Sequence, residues 1–130
     1  MRWLLASTKP ADQRYAERVL ESLARVDAKV PDLWHLEVAN VLLAAEKRNQ
    51  THAGESERFV DQLESLPIYV DNLTCQKAFN RTLSLARAYG LSSYDAAYLE
   101  LAIREGSPLA TLDRNLRKAA TRNRIALYVP

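Results

Sequence analysis

Three acids, Glu37, Asp95 and Asp113, fall where an apolar stretch gives way to the start of a helix. Asp95 lies in Leu91-Ser92-Ser93-Tyr94-Asp95-Ala96-Ala97-Tyr98-Leu99-Glu100-Leu101-Ala102. Ser92 or Ser93 can cap that helix by accepting a backbone N–H bond, and Gly106 supplies its stop. Small Ala96 and Ala97 let the helix lie close to a sheet, so Asp95 is held on a packed element, where a chemical group can be positioned well. Asp113 ends an apolar run, Leu109 to Leu112, that reads as a buried strand. Ligands of open α/β sheets collect at the carboxyl ends of strands. Glu37 occupies the first turns of a helix that follows a short strand. Each acid taken alone also has a plainer explanation, because the helix dipole favours an acid at an N-terminus by about 0.3–1 kcal/mol.

The elements that must position these acids follow from periodicity. Asp12 is expected to cap a helix with Tyr15, Ala16, Val19, Leu20 and Leu23 on one face. A strand over 28–30 precedes a helix over 33–48, and Asn49 to Gly54 is a loop. An amphipathic helix over 55–66 ends at Pro67. Ile68-Tyr69-Val70 reads as a strand, and Thr74 as the cap of a helix that stops at Gly90. The Asp95 helix, the strand that ends at Asp113, a basic helix over 114–123 and a strand over 125–129 complete the order. Strands separated by helices imply parallel pairing and an α/β fold.

Composition sets the class. The 130 residues are 48% hydrophobic and 26% charged, with only 3 Gly and 5 Pro, which suits one globular domain with a core of its own. The net charge of +2 permits nucleic-acid contact without requiring it. The single cysteine, Cys75, excludes an internal disulfide, points to a cytoplasmic location, and is expected in the core. Neither a signal peptide nor an apolar run long enough to span a bilayer is present.

The Asp95 segment, Leu36-Glu37-Val38-Ala39-Asn40-Val41-Leu42 and Thr111-Leu112-Asp113-Arg114-Asn115-Leu116 together resemble the PIN domain family, and within it VapC-type toxins of toxin–antitoxin pairs. The resemblance covers nearly the whole chain, with the motifs in the family's order. It implies a PIN-like three-layer sandwich, a short parallel sheet flanked by helices, as a single domain over residues 1–130. It also implies a Mg²⁺- or Mn²⁺-dependent endoribonuclease in which Glu37, Asp95 and Asp113 are the catalytic and metal-site acids. These are oxygen ligands suited to a hard cation. Thr111 would orient a ligand or water, and Asn115 falls where many relatives carry another acid. Arg114, Arg117 and Lys118, with Arg122 and Arg124 beyond them, would meet RNA phosphates or form a solvated face.

Family members open with a central strand that ends in a further acid. Here Met1-Arg2-Trp3-Leu4-Leu5 resembles the helix after that strand, so the sequence is expected to lack the strand and its acid. Asp12 and Asp32 are the candidates to replace the acid. Unpaired strand edges would favour a homodimer or higher oligomer. Trp3, Leu4, Leu5, Tyr15, Val19 and Trp34 would line a groove for a VapB-type antitoxin, or form an ordinary core. Two other functions stay open: a non-catalytic PIN-fold module that binds an antitoxin or itself, and a regulatory α/β domain whose acids only cap helices.

Overall fold

The computed structural model describes residues 10–130. Trp3, Leu4, Leu5 and the polar stretch after them lie outside the described residues. The chain divides into two compact units, one built from residues up to Lys29 with Trp34–Tyr69 and Pro130, the other from Val30–Leu33 with Val70–Val129.

The first unit holds three helices. α1 (Pro10–Ser22) opens on proline, which lacks the N–H that a first helical position leaves unpaired. The helix thus begins before Asp12, the expected cap. It buries Ala16 and Val19, and Leu23 just beyond its end is buried too. α2 (Trp34–Lys47) buries Trp34, Val38, Leu42 and Ala45, one stripe at helical spacing. α3 (Ala53–Glu64) starts earlier than the sequence suggests, because His52 caps it by accepting the Glu55 N–H on Nδ1.

β1 (Ala28–Pro31) and β2 (Ile68–Asp71) form a short parallel two-stranded sheet in a helix-rich α/β fold. The Ala28 N–H donates to the Pro67 carbonyl at 3.0 Å. Pro31, with no N–H to offer a ladder, stands at the end of β1 and is fully buried.

The second unit is organised on α6 (Ser93–Glu105). This helix buries Ala96, Ala97, Leu99, Glu100, Leu101 and Ala102, so it has almost no solvent face. Leu99 and Ala102 join Leu109, Leu116, Ala119 and Ala120 in one apolar cluster, with Leu85, Tyr89, Tyr98 and Leu127 packed against it. Against α6 lie a π-helical turn (Ala78–Thr82), α5 (Leu83–Tyr89) and α7 (Arg114–Arg122), and α4 (Thr74–Lys77) packs on the π-helical turn. Gly90 and Gly106 end α5 and α6 at φ 63° and 61°, a left-handed conformation that glycine adopts without strain.

Several expectations need correction. The strands expected at 109–112 and 125–129 reduce to one parallel bridge between Leu109 and Leu127. The Thr111 hydroxyl accepts the Asp113 N–H at 3.1 Å, a local turn that competes with continued strand pairing. Thr74 does not cap α4; Leu73 holds that position, and the Thr74 hydroxyl accepts the Asp32 N–H at 3.0 Å. Cys75 is exposed, on a four-residue helix that buries none of its residues.

Burying Glu100 requires a cation. Arg104, one turn on, donates from Nε and Nη2 to Glu100 at 3.0 and 2.9 Å, and reaches both oxygens of Asp71 at 2.8 Å. Asp71, first, and Glu100 hold the guanidinium above its already high pKa. A raised pKa adds stability below the ordinary arginine range and loses it only in strong alkali, so the cation persists across all working pH.

Leu99 has no exposed surface, and Leu99→Ala should cost about 2–5 kcal/mol in denaturant unfolding. Arg104→Met should cost about 3–5 kcal/mol at neutral pH by stranding two buried carboxylates.

Candidate metal and nucleic-acid site

The three sequence-predicted acids all sit at helix starts. Glu37 is in the first turn of α2 and half-buried. It belongs to the first unit, whereas Asp95 and Asp113 belong to the second.

Asp95 stands in the first turn of α6, where its backbone N–H donates to the Ser92 hydroxyl at 3.1 Å. The serine and the acid three residues later form the sequence pattern of a capping box. The cap fixes where α6 begins, and burial of the next two alanines fixes its orientation, so Asp95 rides on a rigid helix end.

Asp113 is the N-cap of α7. Its Oδ1 accepts the Leu116 N–H at 2.8 Å, and its own N–H is held by Thr111. Oδ2 has no hydrogen-bond partner among the described residues. Asp113 therefore combines a structural oxygen with one that stays open to a ligand. Thr111 is buried, and its hydroxyl positions the Asp113 backbone. Asn115, in the first turn of α7, is exposed.

Asp12 and Asp32 are the candidate replacements for the further acid. Asp32 is exposed at the turn after β1, and the side chain of Asp12 lies outside the described part of its helix. Among the described residues, no group of three or more His, Cys, Asp or Glu side chains is placed to hold a metal ion.

Two buried acids were not singled out from the sequence. Asp71 is the last residue of β2, a strand end of the kind that gathers ligands, yet its carboxylate is filled by Arg104. Glu100 is occupied by the same arginine. The signal was available: a lone acid between Leu99 and Leu101, with an arginine four residues on, is an i,i+4 pair on a helix that is otherwise apolar there.

α7 carries Arg114, Arg117, Lys118 and Arg122 and no acid. All four are exposed, and none forms an ion pair among the described residues. The basic face begins immediately after the Asp113 cap. The described chain has no helix long and apolar enough to cross a membrane.

None of the curated proteins matches the chain. The PIN domain model does match, over residues 3–122, which takes in every element from α1 to α7. That span contains Glu37, Asp95 and Asp113 together with the caps that hold the last two, and the chain belongs to the PIN domain family.

Proposed function

We propose that the chain is a Mg²⁺- or Mn²⁺-dependent endoribonuclease of VapC type, a cytoplasmic toxin whose natural partner is a VapB-type antitoxin. Membership of a family with a nuclease-type fold carries the reading. Residues 1–130 act as one domain. Glu37, Asp95 and Asp113 supply carboxylate oxygens, the donor type that a hard divalent ion prefers. Thr111 and Asn115 support Asp113, and Arg114, Arg117 and Lys118 hold RNA phosphates. The bound ion would supply Lewis acidity at the phosphodiester and lower the pKa of water.

A second reading has its own support. α2 leaves Leu36 and Leu43 73% and 53% exposed on its outer face. This exposed apolar pair suits a non-catalytic PIN module that binds an antitoxin or a second copy of itself.

Cleavage of single-stranded RNA in Mn²⁺, with and without chelator, separates the two. Asp95→Asn and Asp113→Asn should each lower the rate by about 100-fold or more. Asparagine caps helices as well as aspartate, so Asp113→Asn should unfold within a few tenths of a kcal/mol of the parent. Cleavage that survives both substitutions, or the chelator, overturns the nuclease reading. Antitoxin binding without cleavage selects the second one.

A further inference from the structure

α4, the π-helical turn and α5 follow one another without a break, so residues 74–89 make one helix with a single widened turn. At 1.5 Å per residue it is about 24 Å long. The Leu83 N–H reaches back five residues to the Ala78 carbonyl, and the Arg81 N–H turns to the Asn80 side chain at 2.6 Å. Widened turns of this kind give up regular helical bonds and concentrate at functional sites. The helix is nonetheless held firmly. Asp71 accepts the Leu73 N–H just ahead of it, Thr82 is buried, and the π-helical turn packs on α6.

This well-held helix carries an unmatched face. Phe79, inside the widened turn, is 90% exposed, more than any other large apolar side chain among the described residues. Cys75, one turn before it, is also exposed, and Leu83 after it is half-buried. Gln76, Asn80 and Ser84 add exposed polar groups at helical spacing. Arg81 and Arg87 are exposed and Lys77 is half-buried, and none of the three forms an ion pair among the described residues. From Asn72 to Tyr94 the sequence holds no acid at all.

We propose that this face docks an acidic, apolar segment of a different protein chain. Charge selects the partner. A second copy of this chain would bring the same three cations to a symmetric interface, with no acid from this segment to meet them. Unpaired RNA is held in cationic grooves that offer successive stacking rings, whereas this is a helix surface with Phe79 as its one exposed ring. Another amphipathic segment fits by laying its side chains between those of the helix. The aromatic ring with arginines beside it has the composition of an interface anchor. Because the helix is already fixed, little ordering is needed when a partner arrives. The acids at the helix starts and the basic helix α7 take no part, so the proposal is independent of the nuclease reading.

The probe is a helical peptide of about 14 residues with Leu along one stripe and Glu on both flanks, titrated against the full chain by fluorescence anisotropy. It should bind saturably, about 10-fold or more tightly than the same peptide with Gln in place of Glu. Phe79→Ser should weaken binding about 10-fold or more, as truncation of a central aromatic does. Arg81→Glu with Arg87→Glu should transfer the preference to a version of the peptide with Lys in place of Glu. All three positions are exposed, so the variants should keep the parent's unfolding midpoint. No saturable binding overturns the proposal, and so does binding indifferent to Phe79→Ser or to the charge reversal. Single-stranded RNA that binds through Phe79, Arg81 and Arg87 more tightly than the peptide overturns it in favour of a nucleic acid. A dimer of the peptide-free chain that Phe79→Ser dissociates overturns it in favour of a second copy. None of these readouts uses RNA cleavage, so this proposal and the nuclease reading fail separately.

Discussion

A carboxylate in the interior of a helix with almost no solvent face needs a cation close by, and α6 is built on that constraint. Glu100 is 2% exposed, flanked by Leu99 and Leu101. Leaving it charged and alone would cost several kcal/mol, so the chain places Arg104 one turn further on. The guanidinium has donors to spare and also takes Asp71, at the end of β2, through both oxygens. A single planar cation therefore satisfies a helix acid and a strand-end acid. It also ties α6 to the backbone at Asp71, whose carboxylate accepts the Leu73 N–H as well. The fork geometry matters here, because a lysine could not bond both carboxylates in this bidentate way.

The rigidity of α6 is what gives Asp95 a defined position. Its start is set by the Ser92 cap, its end by Gly106, and its sides by the apolar cluster and the Arg104 cluster. Asp113 is positioned by different means, through Thr111 behind it and the Leu116 N–H ahead of it. In both cases the features that make an acid good at starting a helix also present it at an element's mouth. Capping and ligand binding are not rivals for Asp113. A carboxylate has two oxygens, and the cap uses one.

Much of this was legible in the sequence, and the parts that were not have physical reasons. Helices α2, α6 and α7 could be read because their buried stripes recur at helical spacing and their ends carry Ser92, Gly106 and Asp113. β1 and β2 were visible as short apolar runs after a turn. The run from Leu109 to Leu112 is also short and largely apolar, yet only Leu109 is bridged. Composition says which residues suit a strand, while pairing depends on a neighbour, and here the Thr111 turn wins locally. Thr74 failed as a cap because a hydroxyl next to a helix start can serve any nearby donor, and the Asp32 N–H lay 42 residues away in sequence. Asp71 was hidden for the same reason, since Arg104 lies 33 residues on. The acids at the helix starts were found from local pattern, while the ionic partnership that fixes α6 depends on tertiary contact.

The two charged helices of the second unit resolve opposite problems. In α6 the charge is interior, and every carboxylate of the Arg104 cluster is matched inside the protein. In α7 the charge is exterior, repeated every turn, and left unmatched among the described residues. Solvent can screen the second arrangement, so it costs far less than an unpaired interior ion would. The i,i+4 repulsion still works against the helix, and Arg114 opposes the dipole while Arg122 in the last turn complements it. A buried ion pair closes a structure by using up its charges. An exposed stripe of one sign keeps its charges available, and its energy falls when an anion arrives. The stripe starts at Asp113, whose second oxygen has no partner among the described residues, so the cations and that acid share one helix.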